Sequence, residues 1–231
     1  MQSKPYLFMI LPILLMAACQ SSGQTAGQQQ SPGEWITLFD GESLEQWRGY
    51  NREDLPEAWS IEGDELVFTP GTGDGGDIIT REIFGDFEFT LEYNISEGGN
   101  SGIFHHVLEQ NQAIYWSGPE FQIIDDEAAS GSDIKNLSAA LYDLIGPDPQ
   151  NAEPAGEWNS VRIVSQGPHM EYWQNGELVV EFERWTAEWY DRVRDSKFAP
   201  HPSFGNIPEG HLGLQDHGDP VRFRNVQVRR L

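Results

Sequence analysis

Ten residues of strict alternation, 86–95, set the terms on which this chain can fold. Phe87, Phe89, Leu91, Tyr93 and Ile95 fall on one side of an extended chain, and Glu88, Thr90, Glu92 and Asn94 on the other. A period of two is that of a strand with one buried face; a helix would scatter the same side chains around its surface. One apolar sheet face needs a second layer to cover it, and the rest of the chain supplies strands for that layer. Residues 60–69 read as a hairpin turning at Glu62-Gly63-Asp64, and 169–183 as another turning at Asn175-Gly176, a pair suited to a two-residue turn. Further strands fall at 161–165 and 221–230. In the last, the apolar phase slips from Val221 and Phe223 to Val226 and Val228, which predicts a β-bulge near Arg224-Asn225. The spacing predicts one short helix, 186–196, opened by Thr186. Short alternating segments broken by Gly, Pro, Asn and Asp make an all-β sandwich the expected fold class.

The first 33 residues have a different character. Residues 1–18 carry one charge, Lys4, then an apolar run and the small pair Ala17-Ala18. That is the layout of a secretory signal, and the run is short for a membrane span. Leu15-Met16-Ala17-Ala18-Cys19 resembles a bacterial lipobox, which implies cleavage before Cys19 and lipidation of its thiol. Residues 19–33 are polar, rich in Gly, Ser and Gln, and read as a flexible tether, leaving 34–231 as one folded domain. The expectation is an exported lipoprotein, periplasmic or at the cell surface, touching the membrane through its N-terminal lipid only. Cys19 is the single cysteine, so the domain has neither an internal disulfide nor a thiolate metal cluster. A formal charge of −23 argues against nucleic acid and against adsorption to anionic lipid.

Three stretches concentrate polar groups on sheet faces. In Gly118-Pro119-Glu120-Phe121-Gln122-Ile123-Ile124-Asp125-Asp126, Glu120 and Gln122 share one face while Phe121 and Ile123 point into the core. Asp125 would fall on the core face of an unbroken pleat, where an unpaired carboxylate is costly. Either the strand ends at Ile124, or a bulge turns Asp125 back toward Glu120. The second option gives the spacing E-x-Q-x-x-D, reminiscent of the paired carboxyls of laminarinase-type glycosidases. In Gly99-Asn100-Ser101-Gly102-Ile103-Phe104-His105-His106, the two histidines point to opposite faces of a simple pleat. Parity with Asn100, Gly102 and Phe104 favours His106 for the functional face. In the third stretch His211, Gly213, Gln215 and His217 share a face, with Leu212 and Leu214 packed inward and Arg224 following at the predicted bulge. Trp185, Trp189 and Tyr190 on the short helix are candidates for stacking on sugar rings. A divalent metal is possible but not required, with His106, Asp125 and His217 as conceivable ligands.

The same stretches resemble the 3-keto-disaccharide hydrolase domain family. The resemblance runs from Trp35 to Leu231 through ten blocks in order, among them LFDGESLEQW (38–47), GNSGIFHHV (99–107), GPEFQIIDD (118–126), ALYDL (140–144), DSKF (195–198) and GHLGLQDHGDPVRFRNVQVRRL (210–231). It implies a concanavalin A-like jelly-roll β-sandwich and hydrolysis of glycosides whose sugar carries a ketone at C3. Such a ketone acidifies the C2 hydrogen, so a base can remove it, the C1 substituent can leave, and water can add back to the enone. On that logic Glu120 or His106 is the base, Asp125 or His217 the acid, and Arg224 or Lys197 the enolate stabiliser. Asn100, Ser101, Gln122, Tyr142, Lys197, Gln215 and Arg224 form the expected substrate-binding set. The rival readings are a non-catalytic carbohydrate-binding lipoprotein and a conventional retaining glycosidase.

Overall fold

The computed structural model describes residues 1–2, 33–109 and 112–231. The signal segment, Cys19 and the tether up to residue 32 lie outside the described residues apart from residues 1–2. Among the described residues no helix is long and apolar enough to cross a membrane.

In chain order the strands are β1 (Trp35–Phe39), β2 (Trp47–Gly49), β3 (Trp59–Glu62), β4 (Glu65–Phe68), β5 (Ile78–Thr80), β6 (Phe87–Ile95) and β7 (Asn100–Val107). They continue as β8 (Glu120–Ile124), β9 (Asn159–Gln166), β10 (His169–Gln174), β11 (Glu177–Glu183), β12 (His211–Leu214) and β13 (Val221–Arg230). One sheet has eight strands in the order β11-β10-β9-β6-β13-β4-β3, with β1 also on β13. The other has five, in the order β2-β5-β12-β7-β8. The fold is a jelly-roll-type β-sandwich, with one α-helix, α1 (Ala187–Arg194), whose N-terminus is capped by Thr186 accepting from the Trp189 N–H.

The 86–95 alternation becomes β6, flanked by β9 and β13 at the centre of the larger sheet. Phe87, Phe89, Leu91, Tyr93 and Ile95 are buried between the sheets. On the outer side Glu88 is held by Arg162 and Arg229, and Glu92 by Arg224 and Asn225. The bulge in β13 is present: its register on β6 shifts between Arg224 and Gln227, and Asn225 takes φ +53°. It lets one strand serve two partners, since 221–223 pair with β4 and 226–229 with β1.

The smaller sheet covers this core with Trp47, Ile78, Leu212, Leu214, Ile103, Phe121 and Ile123. Its other face looks away from the core. There a separate apolar cluster of Ile79, Phe104, Val107 and Ile114 fills one end, and the remainder is the polar floor described next.

Candidate active site on the outer face of the five-stranded sheet

Antiparallel register fixes what this floor displays. Residues directly opposite one another in an antiparallel pair point to the same face. Phe104 stands opposite Glu120, Gly213 opposite Phe104 and Ile79 opposite Gly213. The adjacent row carries Gln122 opposite Gly102, with the Gln215 N–H bonded to the Gly102 carbonyl. Asn100 begins the next. The free edge of β8 is covered by residues 139–142, which exchange backbone hydrogen bonds with Gln122 and Glu120 and deliver Tyr142 to the rim.

These residues enclose a cavity of about 350 Å³ lined by Asn100, Tyr115, Glu120, Gln122, Tyr142, Lys197, Phe198, His201, Gln215 and His217. Glu120 is 5% exposed and burial pushes its carboxyl up to about 8, with Lys197 pulling it down and Asp77 raising it further. Lys197, on the segment after α1, sits 3.7 Å from the centroid of the Tyr142 ring. Asn100 Nδ2 lies 3.3 Å from His217 Nε2 at the exposed mouth. Three buried side-chain oxygens of the floor, Asn100 Oδ1, Gln122 Oε1 and Gln215 Oε1, have no hydrogen-bond partner. Buried polar atoms are normally paired, so three converging on one cavity mark a place built for a polar ligand. Primary amides both donate and accept, which suits hydroxyl groups.

Of the expected site residues, Glu120, Gln122, Asn100, Gln215, His217, Tyr142 and Lys197 are brought together. Four others stand elsewhere. Asp125 is not in the cavity: β8 ends at Ile124, and the Asp125 carboxylate accepts from the backbone N–H groups of Gly98 and Glu127. It caps loops, so the E-x-Q-x-x-D carboxyl pair does not form. His106 is not on the functional face. A bulge in β7 opposite β12 gives it φ +52° and turns it inward beside His105. The two rings meet at 2.7 Å between Nδ1 atoms, and His105 Nε2 lies 2.6 Å from the Tyr172 hydroxyl. Burial holds both imidazoles well below the usual histidine range. Ser101 points into the sandwich and donates to the Gln215 carbonyl. Arg224 belongs to the other sheet, paired with Glu92 and lying 4.0 Å over Trp158.

The expected metal ligands His106, Asp125 and His217 are thus not neighbours. Among the described residues no group of three or more His, Cys, Asp or Glu forms a metal-binding cluster. His211 Nδ1–H donates to the Thr80 carbonyl at the sheet edge, 2.7 Å away. The helix aromatics do not line the cavity either: Trp189 stacks on Phe182 and Phe204, and the Trp185 indole donates to the Gly205 carbonyl. The aromatic wall comes instead from Tyr115, Phe198 and His201, the last stacked 4.7 Å from Trp116. Tyr115 and His201 lie in connecting segments without periodicity, which left no signal to find them.

A larger depression, about 650 Å³, lies on the outer face of the eight-stranded sheet between Glu92, Arg162 and Trp173. Its charges are already paired, Arg162 covers Trp173, and no orphaned buried atom faces it among the described residues. The chemistry points to the smaller cavity.

A curated 3-keto-disaccharide hydrolase of Bacteroides thetaiotaomicron is 38% identical over 227 residues, covering 85% of this chain and 78% of that protein. A crystal structure described as a glycosyl hydrolase of Parabacteroides distasonis superposes with a TM-score of 0.78 at 29% identity, covering 85% of this chain and 94% of the other. A Bacillus subtilis protein with a galectin-like fold, 12% identical with a TM-score of 0.52 over 87% of this chain and 96% of its own, shares the fold alone. Residues 34–229 match the family described as 3-keto-alpha-glucoside-1,2-lyase-like domain. The chain therefore belongs to the 3-keto-alpha-glucoside-1,2-lyase-like domain family, and it is a glycosidase-type hydrolase with a concanavalin A-like sandwich.

Proposed function

We propose that this chain is an exported enzyme that cleaves 3-keto-glucosides and 3-keto-disaccharides by removing the C2 proton, eliminating the C1 substituent and adding water. The observation that carries the reading is Glu120, a nearly buried carboxyl with an elevated pKa, facing a cavity with Lys197 beside it. A general base works best when its pKa lies near the working pH, and burial has moved Glu120 there. As it takes the C2 proton, negative charge grows on the C3 oxygen, and the Lys197 ammonium is the cation available to offset it. Asn100, Gln122 and Gln215 supply the unpaired amide oxygens that sugar hydroxyls would satisfy. Tyr142 holds Lys197 from below, and His217 with Asn100 binds the sugar at the mouth. The name of the Bacteroides thetaiotaomicron relative supports the substrate class.

A binding module would need the amides and the aromatic wall but gains nothing from a desolvated carboxyl, which costs stability when ionised. A retaining glycosidase needs two carboxyls about 5 Å apart, and Asp125 is occupied elsewhere. The secretory layout of residues 1–18 and the lipobox at Cys19 support export and lipid anchoring. The test uses three incubations of the enzyme: with a disaccharide, with its C3-oxidised form, and with the oxidised form after Glu120→Gln. Cleavage of the oxidised sugar alone, lost by at least about a hundredfold in the variant, supports the reading. Cleavage of the plain disaccharide, or full turnover by the variant, would overturn it.

A further inference from the structure

Elimination from C1 needs a proton for the departing oxygen, and the rehydration that follows needs a group to take one from water. Of the acids the sequence offers for that role, Asp125 caps a loop and His217 stands exposed at the mouth. The register of the sheet brings up another carboxyl. Ile78 at the start of β5 pairs with Leu214 of β12, so Asp77, one residue earlier, stands opposite Gln215 and on its face of the sheet. Gln215 is a lining residue of the cavity and one of its orphaned oxygens. From Asp77 the row runs through Gln215 and Gly102 to Gln122, and Glu120 lies in the neighbouring row at the far strand. Gly102, in the row of Asp77 and Gln215, carries no side chain, and the Glu120 carboxyl lies over it.

Resting on the proposed elimination chemistry, we infer that Asp77 is the second carboxyl of this site, the group that protonates the oxygen leaving C1 and then deprotonates the water that replaces it. The proton account closes. Glu120 takes the C2 hydrogen, the electron pair forms the C1–C2 double bond, the C1–O bond breaks, and the Asp77 proton goes to the leaving oxygen. Water then bonds to C1, its proton passes to Asp77, and Glu120, having exchanged its proton with solvent, delivers one to C2. Both residues end as they began.

The surroundings of Asp77 fit a group that alternates between two protonation states. It is half-buried, and its Oδ1 accepts from the Asp216 N–H at 3.0 Å. The Asp216 carboxylate, which accepts from the Gly76 and Gly218 N–H groups, lies close enough to repel it. Glu120 feels its charge from across the floor. Burial first, and Asp216 second, hold the Asp77 carboxyl up at about 7 against the pull of the Asp216 N–H. A carboxyl held near neutrality can give up a proton to a leaving oxygen and take one back from water at the same pH. β7 and β12 lie between the strand of Glu120 and the one that Asp77 leads into, so the two carboxyls are not side by side.

The experiment follows the two halves of the reaction separately in the full-length protein: exchange of the C2 hydrogen of a 3-keto-glucoside with D2O, and release of its aglycone. Asp77→Asn keeps an oxygen for the Asp216 N–H. It is expected to retain C2 exchange within about threefold while release of an alkyl aglycone falls by at least about a hundredfold. Release of a 4-nitrophenyl group, which needs no proton, is expected to fall far less. In Asp77→Ala, added formate is expected to restore part of the lost release, which a collapsed loop would not permit. Undiminished alkyl release by Asp77→Asn overturns the assignment, as does equal loss for both aglycones without formate rescue. Absence of C2 exchange in the unaltered enzyme would instead strike at Glu120 and the elimination route itself, and the Asp77 role would fall with it.

Discussion

Gly102 makes room for the Glu120 carboxyl. A Cβ built on Gly102 would overlap Glu120 Oε1 and come 3.0 Å from both Cδ and Cγ of the same side chain. The two lie on adjacent strands of the five-stranded sheet, and the glycine is what allows the carboxyl to lie flat against backbone rather than standing into the cavity. Gly102→Ala therefore displaces the carboxyl from its position. The expected result is a fall in kcat of roughly ten- to a hundredfold, since small misplacements of a reacting group are costly. Circular dichroism should show an unchanged fold. Equal kcat for the alanine variant would show that the position of Glu120 is not constrained by this contact.

Glu120 also makes a statement about stability. Its pKa is about 8 in the folded protein and near the ordinary ~4.3 in the unfolded chain. A raised folded value means the protonated form is favoured on folding, so this stability is complete below about pH 4 and is lost as pH rises through about 8. Glu120→Gln cannot ionise and escapes the loss. Its unfolding free energy relative to the unaltered protein, read by denaturant melts, is expected to rise between pH 5 and pH 8, by up to about 1.4 kcal/mol per pH unit in that window. A difference independent of pH would mean that Glu120 titrates normally.

Lys197 lowers the Glu120 pKa by its charge. Removing the charge in Lys197→Met should raise the apparent pKa of the base, moving the rising limb of the pH–rate profile for kcat/KM to higher pH. The ring of Tyr142 would still pack against the methionine, so folding should survive. A profile that stays in place, with only KM changed, would reduce Lys197 to a binding role.

Inside the sandwich, Tyr172 closes a chain of polar groups through His105 and His106 to Ser165. Tyr172→Phe leaves His105 Nε2 buried without a partner. The cost should be about 1–3 kcal/mol, read as a drop in melting temperature of roughly 2–10 °C. Substrate turnover below that temperature should change little, because neither histidine lines the cavity. A large loss of turnover without loss of stability would place this network in the reaction.

What could be read without coordinates follows from where period two survives. β6 kept it for nine residues and was legible to its last side chain, and the phase slip in β13 announced its own bulge. The same rule failed at His106, because a bulge of a single residue with positive φ reverses parity and leaves no mark in a run such as Phe104-His105-His106-Val107. At Asp125 pleat geometry allowed two outcomes, and the backbone N–H groups of Gly98 and Glu127 decided for the loop. Arg224 was placed beside the site by chain proximity to His217, yet β13 crosses to the other sheet, and alternation alone does not say which sheet a strand joins. Asp77 was invisible for a related reason: β5 is three residues long, too short to display a period. Its meaning comes only from Gln215, 138 residues away and directly opposite.

The central claim is that Glu120 removes the proton at C2, and isotope incorporation reports on that proton directly. Turnover of a 3-keto-disaccharide in D2O, followed by NMR of the released 3-keto sugar, is the measurement. Deuterium at C2 with the unaltered enzyme, absent with Glu120→Gln, is the predicted result. Cleavage at full rate with the C2 hydrogen retained would contradict it, since a bond to C2 that never breaks leaves Glu120 no proton to take.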